Sequence, residues 1–244
     1  MFSPFDLPDG IFLLITDELA APADFALISS LISHLKCFNK TKIIYLSILE
    51  SWNRLQSLCT KSGINLSPRS VSETLHFIDV LSHLPRLNTN EAPSLRIIYD
   101  LVAGILEGRQ GGMIILDDIS SLEWTGHSLE DLSRFCRALR VLCLKTKTTL
   151  IVRHHILAPN EPDELLRRLQ QICSYHMDVR PLSSGRSGAV SGEIALHAGP
   201  SLLGSDSRPE SVQVKLLSRQ RALQYRLTDS DVVFFERGSS RGVL

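Results

Sequence analysis

The chain has 244 residues, 43% of them apolar, and its 26 basic and 26 acidic residues cancel to a formal charge of zero. This is enough chain and enough apolar surface for one α/β domain, so a single domain over residues 1–244 is expected. The balanced charge excludes any argument from total charge for nucleic acid, membrane surface or acidic substrate as a partner.

Charge is unevenly placed along the chain. Met1 to Leu35 carries Asp6, Asp9, Asp17, Glu18 and Asp24 and no Lys or Arg, whereas Leu132 to Asn160 carries six bases and no acid. The five cysteines, Cys37, Cys59, Cys136, Cys143 and Cys173, are odd in number and never spaced CxxC. That pattern suggests neither a disulfide framework nor a zinc site and fits a reducing compartment, the cytoplasm first and the nucleus second. No apolar run approaches the roughly 18 residues that span a bilayer, and the N-terminal GIFLLIT lacks the preceding positive charge of a signal peptide.

Short apolar runs alternate with stretches of helical period, the pattern of helices packed on a largely parallel sheet. Ile11 to Ile15 is the first expected strand, followed by a helix from about Phe25 with Asp24 as its N-cap. Ile43 to Leu46 is the second, and Trp52, Leu55, Leu58 and Cys59 mark a helix closed by Gly63. Leu75 to Leu81 is a third strand. Ile97, Ile98, Leu101, Val102, Ile105 and Leu106 then keep helical spacing up to Gly108, and Met113 to Leu116 is the fourth strand. Leu132, Phe135, Cys136, Leu139, Leu142 and Cys143 share one face of the next helix, which places both thiols in packing. Thr149 to Val152 is strand five, and a helix near Asp163 to Cys173 follows.

Beyond it lie five strand-like runs, Tyr175–Leu182, Gly192–His197, Val212–Leu217, Leu223–Leu227 and Val232–Phe235, separated by turn-rich loops at 183–192 and 199–210. They read as antiparallel hairpins extending the sheet.

The fourth strand runs straight into Asp117 and Asp118, as the metal-holding strand of a P-loop ATPase does. Such an ATPase also needs glycines whose N–H groups wrap the phosphates, a Lys to neutralise them and a Ser or Thr for the metal. Between strand one and its helix this chain has TDELAAPADF: no glycine, no lysine, a proline that removes one donor, and the acids Asp17, Glu18 and Asp24. An Asp24 N-cap would also occupy the N–H groups that a phosphate uses. Catalysis and a bound cofactor or metal are therefore not expected. Asp117 and Asp118 are left as vestigial carboxylates that end a buried strand and solvate a turn, against the alternative of a weak metal or nucleotide role.

An α/β order with an intact-looking carboxylate strand and an emptied phosphate loop is distinctive. With IILDDISSL (114–122), LEDLSRFCRALR (129–140) and the ending YRLTDSDVVFFERGSSRGVL (225–244), the chain resembles the Elongator complex protein 6 family over essentially its whole length. The resemblance implies a RecA-like fold with a degenerate phosphate loop and a place in a heterohexameric accessory ring with Elongator subunits four and five. It also implies association with the catalytic Elongator core, and tRNA as the ligand in wobble-uridine modification, the ring's grip on tRNA responding to ATP. It carries over no catalytic residue.

A ring of rotated neighbours needs two different patches per subunit. The acidic first 35 residues of one subunit could face a neighbour's basic segment, with Arg134, Arg137 and Arg140 as the interface candidates and Lys145, Lys147 and Arg153 beside them; otherwise the three arginines are a solvated helix face. For RNA backbone contact the candidates are Arg219 and Arg221 around Gln220, then Arg186 in the glycine-serine loop, with ordinary turn solvation as the plain alternative. His154 and His155 have no acid at ligand spacing and read as strand-end polar residues. Trp52 and Trp124 read as core or interface anchors. Two other functions share the fold: an active RecA-like ATPase with a noncanonical loop, disfavoured by the absence of Gly and Lys from Asp17 to Leu35, and a RecA-like adaptor in DNA repair.

Overall fold

A computed structural model describes residues 7–37, 41–71, 73–84, 94–159, 161–185, 187–202, 214–228 and 231–237. Its centre is a nine-stranded sheet: β1 (Phe12–Glu18), β2 (Lys42–Ser47), β3 (Leu75–Asp79), β4 (Gly112–Leu116), β5 (Thr149–Ile156), β6 (Tyr175–Arg180), β7 (Gly192–Ala198), β8 (Leu223–Leu227) and β9 (Val232–Phe235). The order is β3-β2-β4-β5-β1-β6-β7-β8-β9. The first six strands of that order are parallel, and β7, β8 and β9 are added antiparallel.

Alternation along each parallel strand sends side chains into two separate cores. Leu13, Ile15, Ile43, Tyr45, Ile115 and Ile151 face one side, and Phe12, Leu14, Ile44, Leu46, Ile114 and Val152 the other. The first face is covered by α1 (Asp24–Cys37), through Leu27, Leu31 and Leu35, and by α2 (Trp52–Lys61), through Leu55 and Cys59. Short helical turns α3 (Ser67–Val71), α4 (Val80–His83) and α6 (Ser121–Trp124) lie in the connections.

The opposite face is covered by α5 (Arg96–Leu106), α7 (Leu129–Thr146) and α8 (Glu164–Ile172). On α7 the buried stripe includes Leu132, Phe135, Cys136, Leu139 and Cys143, as its helical spacing requires, and burial pushes the Cys136 and Cys143 thiols up to about 12. Both strand faces are buried, which explains the continuous apolar runs of β2 and β4.

Several boundaries differ from the sequence reading. β1 and β5 run on to Glu18 and Ile156, because Thr16, Asp17, Arg153 and His154 are buried and partnered. The expected strand Leu75–Leu81 stops at Asp79, whose carboxylate accepts from Ser82 N at 3.3 Å and starts α4. The expected strand Val212–Leu217 is represented among the described residues by a single bridge between Leu217 and Leu196; residues 212 and 213 lie outside them. Asp24 is the first helical residue of α1 rather than its N-cap, and its carboxylate accepts from Arg153.

Candidate functional site

The carboxyl ends of β1, β4 and β5 meet where a doubly wound sheet places its ligands. Here the position is filled by the chain's own charges. The β1–α1 connection is a tight turn in which Ala21 N donates to Glu18 O at 2.9 Å. Asp17, fully buried at the end of β1, turns back into it: Oδ2 accepts from Ala23 N at 2.7 Å and Oδ1 from His155 Nδ1 at 2.6 Å. A backbone donor that a phosphate would need is thus already bound, by Asp17 and not by Asp24.

Arg153, 3% exposed on β5, holds the cluster together. Its Nε donates to the Asp117 carbonyl at 2.5 Å, and Nη1 lies 2.8 Å from Asp24 Oδ1 and 3.7 Å from Asp17 Oδ2. Burial disfavours its charge, but Asp24 and Asp17 outweigh burial and hold the guanidinium above its ordinary value. His155 is raised as well, chiefly by its hydrogen bond to Asp17. Arg153 therefore pairs with the acidic N-terminal segment of its own chain, which withdraws it from the basic segment offered to a neighbour.

Asp117 and Asp118 are both taken up by hydrogen bonds within the chain. Asp117 is fully buried and accepts from Ser47 Oγ at 2.7 Å, Ile48 N at 2.8 Å and Glu50 N at 3.3 Å, so it pins the β2–α2 connection. Burial raises its pKa, and these donors with Arg153 oppose the rise. Asp118 accepts from Ser120 N at 2.9 Å, Ser120 Oγ at 2.6 Å and Ser121 Oγ, and Ser120 Oγ in turn accepts from His155 N at 2.6 Å. Asp117, 0% exposed, serves the neighbouring β2–α2 loop, whereas Asp118, 3% exposed, satisfies the donors of its own turn after β4. Among the described residues no group of three or more His, Cys, Asp or Glu is placed to hold a metal ion.

The histidine pair is not a pair of loose strand-end groups. His154 Nε2 meets Asp163 Oδ2 at 2.6 Å, while the other oxygen of Asp163 accepts from Leu166 N at 2.8 Å and caps α8. Asp163 is nine residues from His154, and Asp17 is 138 from His155, so no local spacing could have signalled either contact.

The remaining candidates are dispersed. Arg134 bonds Asp131 at 3.0 Å, Arg137 is exposed, and Arg140 is half-buried, with its guanidinium over the Phe12 ring and Nη1 3.4 Å from Ser174 Oγ. Arg219 and Arg221 belong to a 3₁₀ turn: Arg219 lies 3.5 Å from Asp178 and 3.9 Å from Glu193, and Arg221 is exposed. Arg186 lies outside the described residues. Trp52 packs edge-on against Phe77, whereas Trp124 is 77% exposed. An open groove of about 510 Å³, lined by Trp52, Phe77, Leu101 and Ile105, sits beside β3 and away from this cluster.

The profile of the family described as Elongation complex protein 6 matches residues 1–229. Elongator complex protein 6 of Xenopus laevis is 25% identical over 227 residues, covering 83% of this chain and 82% of the relative. Elongator complex protein 6 of Rattus norvegicus is 23% identical over 230 residues with the same shares covered. Among solved structures, a KaiC-like protein from the hyperthermophilic archaeon Pyrococcus horikoshii OT3 superposes with a TM-score of 0.61 at 13% identity, covering 94% of this chain and 91% of that one. At that identity the likeness shows the fold alone: mostly parallel, RecA-like, with a C-terminal antiparallel extension.

Proposed function

The chain belongs to the Elongation complex protein 6 family, and from that premise we propose that it is a noncatalytic RecA-like subunit of the Elongator accessory ring. In this reading it assembles with subunits four and five, serves the catalytic core of the complex and supports tRNA binding during wobble-uridine modification in the cytoplasm, with the nucleus as a second compartment.

The observation that carries the noncatalytic part is Asp17. A fully buried carboxylate, bound to Ala23 N and His155 and lying 3.7 Å from Arg153, takes up the β1–α1 donor where a nucleotide-binding relative presents free N–H groups. Asp117 and Asp118 fit the same reading, since their oxygens are spent on loop hydrogen bonds and leave little for a magnesium ion. No helix among the described residues is long and apolar enough to cross a membrane. The exposed Arg137 suits a contact with a ring neighbour, and the exposed Arg221 a contact with RNA phosphates.

Two measurements test the proposal. Titration calorimetry of the purified chain with magnesium and ATP should give no heat of micromolar binding; a micromolar affinity would restore the ATPase reading. Light scattering after size exclusion of the chain co-expressed with subunits four and five should give the mass of two copies of each, and elution of the chain by itself would sink the ring.

A further inference from the structure

The sheet ends at β3 and β9, and among the described residues each has a partner strand on one side only. An open edge offers a row of backbone N–H and C=O groups to any other extended chain, so proteins blunt it with short strands, charges, prolines or bulges. β9 is blunted in this way: it is four residues long and bracketed by Asp231, Glu236 and Arg237. β3 is not. Leu75–Asp79 holds no proline and no lysine, its one carboxylate stands at the last residue, and its register with β2 runs unbroken.

Register decides which backbone groups face outward. Ile43 N donates to Thr74 O at 2.8 Å, so in this parallel pair Thr74, His76 and Ile78 direct their backbone groups at β2, and Leu75 and Phe77 direct theirs away from it. Among the described residues those two N–H and two C=O groups have no partner. The open groove of about 510 Å³ lies along this edge, with Trp52 of α2 on the Phe77 side and Leu101 and Ile105 of α5 on the Ile78 side. It continues past Gly104 into an adjoining groove of about 460 Å³ that shares His76, Leu101 and Ile105. Charge in that second part is mixed, Lys42 and Arg109 beside Glu73, Asp100 and Glu107, and selects neither sign.

Outward N–H and C=O groups repeating every second residue are complementary to the backbone of one more extended chain, and apolar walls on both sides suit side chains that alternate between them. We infer that β3 receives an added strand from a protein subunit assembled with this chain: an extended segment of about five residues, matching β3 in length, whose apolar side chains pack in turn on Trp52 and Phe77 and on Leu101 and Ile105. The added strand rests on the proposed place in an assembly and names one contact which that assembly makes. The walls also decide the form of the occupant. A folded sheet edge flanked by its own helices meets α2 and α5 before its strand comes within the roughly 4.8 Å that pairing needs. A second copy presenting its own β3 is excluded on that ground, and a bare tail or linker is not.

The test uses the chain co-expressed with Elongator subunits four and five. Hydrogen exchange read by mass spectrometry should be slower for the peptide over β3 in the assembly than in the free chain, on the order of tenfold. A photo-crosslinking residue at Trp52, and separately one at Leu101, should trap the same short segment of one partner, at residues of opposite parity. Gly104→Leu narrows the groove at a position where a Cβ meets nothing within 4 Å, and it favours the helix. It should keep the free chain's thermal midpoint at or above wild type while weakening assembly on the order of tenfold. Unchanged exchange at β3 in an intact assembly, or crosslinks from the two walls to unrelated segments, would overturn the added strand and leave the ring standing. Trapping of another part of this same chain would overturn it in favour of an internal cover. Failure of the wild-type chain to assemble would remove the ring, and this inference with it.

Discussion

Replacing Arg153 by Met tests whether the network at the carboxyl edge holds the β1–α1 and β4 ends in place. The substitution keeps most of the side-chain volume and removes the charge, the 2.5 Å bond to the Asp117 carbonyl and the 2.8 Å pair with Asp24. Asp17, fully buried 3.7 Å away, then keeps its carboxylate with only His155 as a cationic partner. Breaking one side of a buried ion pair costs about 3–5 kcal/mol, because the surviving charge stays desolvated. For a chain of this size that lowers the thermal midpoint by roughly 6–20 °C. Urea unfolding followed by far-ultraviolet circular dichroism measures the loss directly. The double variant Asp17→Asn with Arg153→Met should recover part of it, a coupling on the order of 1–3 kcal/mol in a double-mutant cycle. A loss below about 1 kcal/mol for Arg153→Met would refute the reasoning, since it would mean that the buried charges do not depend on one another.

Three further outcomes are expected. His155 has its pKa raised by Asp17, so the stability it contributes is fully present below the ordinary histidine value and is lost as pH rises through the raised folded value. His155→Gln should flatten that decline in urea midpoints measured upward from pH 6.5, and an unchanged slope would dismiss the ion pair as a stability element. Burial by contrast pulls His176 down to about 4, so stability is lost as pH falls from the ordinary value towards about 4, and His176→Asn should make acid unfolding shallower over that window. Of the five cysteines, Cys37 is exposed and the other four are buried, with burial pushing Cys59 and Cys173 up to about 11; one thiol should react with a soluble disulfide reagent in the native chain and five after denaturation.

Gly112 supplies a backbone test of the same sheet. It sits at φ +129°, and a Cβ there would meet the Lys42 carbonyl oxygen at 2.4 Å. Gly112→Ala should therefore cost more than about 1 kcal/mol, whereas Gly188→Ala, with open space around it, should cost little.

The sequence by itself determined the layers. Continuous apolar runs at Ile43–Leu46 and Met113–Leu116 can only be strands covered on both faces, and the spacing of Leu132, Phe135, Cys136, Leu139 and Cys143 can only bury one side of a helix. It also determined that the β1–α1 connection carries no glycine and no lysine, which is a matter of composition and needs no coordinates. The tertiary structure decided what fills the space. Asp17, Arg153 and His155 come together only because β1 and β5 are hydrogen-bonded neighbours in the sheet, and Asp117 reaches the β2–α2 connection only because β4 lies beside β2. Contacts across 138 and 70 residues leave no periodicity in the chain.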